Sequence, residues 1–91
     1  MHIKYSKQFL NKLENFFTET DYILRYEKGN FQSGYCILND TKIALVNKFY
    51  TTEGKINCLI DILKSIKLDK SKLSHKTLSF FNELIQTELK F

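Results

Sequence analysis

The chain has 91 residues, 43% of them hydrophobic and 14% aromatic, which is enough for one modest packed core. That size excludes two layers around a deep catalytic cleft, and that composition excludes disorder. Its formal charge of +4 favours an anionic partner, but 13 of the 14 basic residues are Lys and only Arg25 is Arg, the residue suited to bidentate phosphate or guanine recognition.

Ser6 is placed to cap a first helix over 7–18, in which Phe9, Leu10, Leu13, Phe16 and Phe17 recur at helical spacing. Lys7, Asn11, Lys12, Glu14 and Asn15 fill its other side. Thr18, Glu19, Thr20 and Asp21 form a polar break before the β-rich stretch that organises the chain, YILRYEKGNFQSGYCILNDTKIALVNK from Tyr22 to Lys48.

Three short strands are expected there. Gly29 and Asn30 suit a two-residue hairpin loop, since Gly accepts a positive φ at its first position, and Asn39 and Asp40 suit a second turn. Counting from these turns sets Leu24 opposite Tyr35, Tyr22 opposite Ile37, Cys36 opposite Ile43 and Gly34 opposite Leu45. The expectation is a three-stranded antiparallel meander.

Alternation along the strands then sorts the side chains into two faces. One carries Tyr22, Leu24, Tyr26, Tyr35, Ile37, Ala44 and Val46. The other carries Ile23, Arg25, Gly34, Cys36, Leu38, Ile43 and Leu45. Both are largely apolar, whereas a half-exposed antiparallel sheet should alternate apolar with polar residues. The helices can cover one face; the other calls for a second helix layer or a second copy of the chain.

Thr51 or Thr52 can cap a second helix over 53–66, with Ile56, Leu59, Ile60, Leu63 and Ile66 as its stripe. A polar connector over 67–72 follows. Ser74 can then cap a third helix reaching Leu89, with Leu78, Phe81, Leu84, Ile85 and Leu89 turned inward. The chain contains no Pro, which suits short connections. Together these elements predict a single α+β domain spanning residues 1–91, with element order α-β-β-β-α-α.

Chemistry is sparse in this pattern. His2 lies near a terminus and His75 in the first turn of a helix, so neither sits in a convergent acid–base set. There is no phosphate-binding glycine loop, dinucleotide fingerprint, paired-Cys motif or zinc-protease helix, so no catalytic residue, cofactor or metal site is assigned. Cys36 and Cys58 make neither a disulfide framework nor a metal spacing and read as small hydrophobes. No apolar run approaches the roughly 18 residues needed to cross a bilayer, and no secretory leader is evident, which points to a cytoplasmic, reduced protein.

Two surfaces remain as candidates. Arg25, Tyr26, Tyr35 and Cys36 could form a ligand or partner surface on the sheet. Lys64, Lys67, Lys70, Lys72 and Lys76 gather around the last interhelical connector and could contact phosphates as point charges. The order α-β-β-β-α is similar to that of the double-stranded RNA binding domain, but the corresponding helix start, Thr52, Glu53, Gly54 and Lys55, lacks the basic signature of that module.

The stretch from Arg25 to Cys36, with Asn47, Lys48 and Phe49 and then Glu53 to Asn57, resembles a small family of uncharacterised bacterial single-domain proteins. The resemblance implies a bacterial origin and adds no site residues. The expected function is a non-enzymatic module that self-associates as a dimer through an apolar sheet face. The alternatives are an RNA- or DNA-binding domain using the Lys cluster, and a small-ligand protein or enzyme with a pocket between sheet and helices.

Overall fold

A computed structural model describes residues 4–29, 34–38 and 41–89, with side chains for 4–29 and 41–86. The elements run α1 (Lys7–Phe17), β1 (Tyr22–Glu27), β2 (Gly34–Leu38), β3 (Thr41–Asn47), α2 (Thr52–Ser65), a short 3₁₀ turn (Lys70–Lys72) and α3 (His75–Leu89).

Local chemistry starts each helix. Ser6 Oγ accepts from the Phe9 N–H at 3.2 Å, and Thr51 Oγ1 accepts from the Gly54 N–H at 3.0 Å, each satisfying an amide that has no partner inside its helix. Ser74 Oγ does the same for the Thr77 N–H. The stripe of α1 is buried in full: Phe9, Leu10, Leu13, Phe16 and Phe17 all face the core. In α2 the buried set adds Ile62 to the expected residues, because this helix packs on more than one side. Among the described side chains of α3, Phe81 and Leu84 are buried, Phe80 and Ile85 pack at the edge of the core and Leu78 is half-buried, while the expected Leu89 lies outside the described side chains. Phe81 stacks on Phe16 with ring centroids 5.5 Å apart, and Phe80 meets Phe9 edge-on at 5.9 Å, so aromatic contacts seat α3 on α1.

The sheet corrects the expected meander. Its strand order is β1-β3-β2, so the strand latest in sequence lies in the middle. β1 runs parallel to β3, with Tyr22 opposite Lys42 and Tyr26 opposite Val46, and only β2 is antiparallel to β3. The sheet is therefore mixed rather than antiparallel, and the pairs Leu24–Tyr35 and Tyr22–Ile37 do not form. The pairs Cys36–Ile43 and Gly34–Leu45 do.

Two physical causes favour this order. The connection over 28–33 can reach on the order of 20 Å when extended, so it can step across β3, whose two flanking gaps total about 10 Å. Placing β3 centrally also shelters its continuous Ile43–Ala44–Leu45–Val46 run, while β1 with Arg25 and Glu27 takes an edge. Gly29 takes a positive φ of 153°, but it opens a crossing connection rather than a hairpin. The second expected turn, at Asn39 and Asp40, lies outside the described residues.

Candidate functional site

The helices cover one face of the sheet. Ala44 and Val46 are 0% exposed there, Tyr22 is buried and Leu24 and Tyr26 pack against the core. The Tyr26 hydroxyl donates to Glu14 Oε2 on α1 at 2.6 Å, and Lys55 on α2 sits 5.3 Å from the ring centroid. Burial and then the hydrogen bond to Glu14 raise the pKa of this hydroxyl well above that of an ordinary tyrosine. Tyr26 thus joins sheet to helices.

The reverse face is open among the described residues. Ile23 is 53% exposed and its β3 neighbours Ile43 and Leu45 are half-buried. Arg25 and Glu27 share this side of β1 and form an ion pair at 2.6 Å, both side chains about half exposed. The described residues of this face are thus an apolar centre, Ile23, Ile43 and Leu45, with Arg25 and Glu27 along one edge.

The four residues expected to form one surface are divided. Arg25 is on the open face and Tyr26 on the covered one, so they do not converge. Cys36 stands opposite Ile43 and Tyr35 opposite Ala44 in the register, and their side chains lie outside the described part. Cys58 is a free, half-buried thiol packed against the core.

The lysines are also divided. Lys72 donates to Asp21 Oδ1 at 2.6 Å, and this bond raises its pKa. Lys64 lies 4.0 Å from Asp61, and Lys70 lies over the Phe81 ring at 5.7 Å. Lys76 borders a hollow shared by α1 and α3, with Lys12 and Phe80, whereas Lys64 and Lys70 border a groove of about 680 Å³ between α2 and α3. Lys67 is exposed beside neither. Lys64 and Lys70 thus share one groove, Lys76 borders another, and Lys72 is bonded to Asp21. His75, the first residue of α3, is exposed.

Three working residues escaped the sequence reading. Asn47, 5% exposed, donates from Nδ2 to the Gly29 carbonyl and accepts the Phe49 N–H on Oδ1, pinning the crossing connection to the end of β3. Glu19 accepts from the Ser74 N–H at 2.7 Å and from the Thr77 hydroxyl, clamping the start of α3 to the end of α1. Phe49 is 71% exposed at the turn after β3. Asn at a strand end was a usable signal for a side-chain-closed turn. Glu19 had none, because its partners lie more than 50 residues away.

Among the described residues no group of three or more His, Cys, Asp or Glu could hold a metal ion, and no helix is long and apolar enough to cross a membrane. The chain matches no family model, no curated protein and no solved structure.

Proposed function

We propose that the chain is a small non-enzymatic interaction module that associates with a second copy of itself through the open face of its sheet, in a reducing cytoplasm. The observation that supports this reading is the exposed Ile23 beside half-buried Ile43 and Leu45, on a sheet whose other face the helices of the same chain already cover. Burying an isoleucine is worth roughly 1.5–3 kcal/mol, about one to two powers of ten in a dissociation constant.

Sedimentation equilibrium between low micromolar and high micromolar protein tests the reading. Mass should rise with concentration, and Ile23→Lys should weaken association by about tenfold without unfolding the chain. A constant monomer mass across the range, or association indifferent to Ile23→Lys, would overturn it. The divided lysines give the nucleic-acid alternative no comparable support.

A further inference from the structure

Among the described residues strand β1 lies at an edge of the sheet, and its main-chain groups can be assigned to sides. Lys48 N donates to Glu27 O at 2.9 Å, so the Glu27 carbonyl faces β3. By alternation, Ile23 and Arg25 also turn their N–H and C=O toward β3, while those of Leu24 and Tyr26 point away from the sheet. The Tyr22 N–H is taken by Thr20 Oγ1 at 3.0 Å. The main-chain groups of Leu24 and Tyr26 have no partner among the described residues. β1 carries no Lys and no Pro, and its pairing with β3 is unbroken from Tyr22 to Glu27, so of the usual guards against edge pairing it shows only charge, Arg25 and Glu27, which are of opposite sign.

We infer that β1 pairs antiparallel with β1 of a second copy about a two-fold axis at Tyr26, joining two sheets into one of six strands. This contact is distinct from the face contact proposed above and shares with it only the premise of self-association. Charge selects the register. Only registers that match Leu24 and Tyr26 with one another's positions, or with Tyr22 or Lys28, let the outward groups bond. Centring on Arg25 sets Arg25 against its own copy, centring on Glu27 sets Glu27 against its own copy, and centring on Leu24 sets Glu27 against Asp21. Centring on Tyr26 sets Arg25 opposite Glu27 of the second copy, twice by symmetry. The Arg25–Glu27 pair that closes at 2.6 Å within one chain then becomes a four-charge ladder between two.

The test uses charge exchange. Arg25→Glu sets two pairs of like negative charges across the axis, and Glu27→Arg sets two pairs of like positive charges. Each single variant should therefore dimerise roughly tenfold more weakly than the wild type, whereas the double variant R25E/E27R should recover wild-type affinity. An equimolar mixture of the two single variants should form the mixed dimer in preference to either homodimer, read by native mass spectrometry after labelling one chain with ¹⁵N. Circular dichroism melts of the single variants should stay close to wild type, since both side chains are exposed.

A statistical mixture of dimers, or single variants that associate like wild type, would overturn the edge pairing and leave the face contact standing. Loss of association on Ile23→Lys together with indifference to the charge exchange would do the same. A chain that stays monomeric at every concentration would overturn both.

Discussion

The two faces of this sheet are cut from the same three strands and both carry branched aliphatic residues, yet their fates differ. On one, Ala44 and Val46 are sealed beneath α1 and α2; on the other, Ile23 meets solvent beside Ile43 and Leu45. The difference lies in the number of amphipathic helices and where they go. α1 and α2 lie over the sheet, and α3 docks on α1 through Phe80 and Phe81. Among the described residues the chain thus completes one interior and leaves Ile23, Ile43 and Leu45 of the other face without a helix over them.

Truncation should separate the two faces most sharply. Leu59, fully buried in the helical layer, should cost about 2–5 kcal/mol as Leu59→Ala, because a cavity is left where neighbours cannot collapse. Ile23→Ala, on the open face, should cost no more than about 0.5 kcal/mol at concentrations where the chain is monomeric. Urea unfolding at low micromolar protein checks both. Equal costs would mean that the open face is covered within the single chain.

How much of this contrast the sequence could carry depends on whether the signal is local. The helix stripes and the caps at Ser6 and Ser74 depend on spacings of three and four residues, and they place Leu13, Phe16, Ile56 and Leu63 in the core without knowledge of the fold. Face assignment survived the topological error for a related reason. The parallel register sets Leu24 opposite Ala44 and Tyr26 opposite Val46, so the same alternate residues of β1 look toward the helices whichever neighbour the strand has.

Strand order is not local in this sense. Gly29 and Asn30 suit a tight turn, but the choice between a hairpin and a crossing is made by how well the apolar run of β3 is sheltered and by the Asn47 bond to Gly29. The run Ile43 to Val46 was the one clue to a central strand. The candidate site divides along the same line. Neighbours in sequence such as Arg25 and Tyr26 point to opposite sides, while the Glu19 clamp and the Lys72–Asp21 pair join distant segments.

A smaller effect should come from the link between sheet and helices. Tyr26→Phe removes the hydrogen bond to Glu14 while keeping the ring against Lys55, and should lower stability by about 1 kcal/mol. The tyrosine's raised pKa carries its own signature. Its contribution is complete below the pKa of an unfolded tyrosine, near 10, and is lost as pH rises above that value toward the folded pKa. Wild type and Tyr26→Phe should therefore converge in melting temperature at strongly alkaline pH. Thr51→Ala should cost a similar ~1 kcal/mol through the lost α2 cap, but with no alkaline convergence. The two variants together distinguish a cap from a bond that ties the layers.

The least effect, and the most specific, concerns Glu19. Hydrogen bonds from the Thr77 hydroxyl and then the Ser74 N–H hold its carboxyl below the ordinary value of 4.5, so the folded chain binds its proton less readily than the unfolded chain does. The stability it adds is therefore complete above pH 4.5 and falls away as pH drops through the lower, folded pKa. Glu19→Gln keeps a side-chain oxygen that can accept a hydrogen bond but cannot carry the charge. The melting temperature of wild type should exceed that of the variant at pH 7, and the gap should close under acid. Taking the difference cancels other acidic groups, including Asp69, whose pKa is lowered by its bonds from Ser71. Because the clamp is exposed, the gap should be small. A gap that persists unchanged into acid would show that the clamp does not depend on the carboxylate's charge, whereas no gap at pH 7 would show that it adds nothing beside the Phe80 and Phe81 contacts that seat α3 on α1.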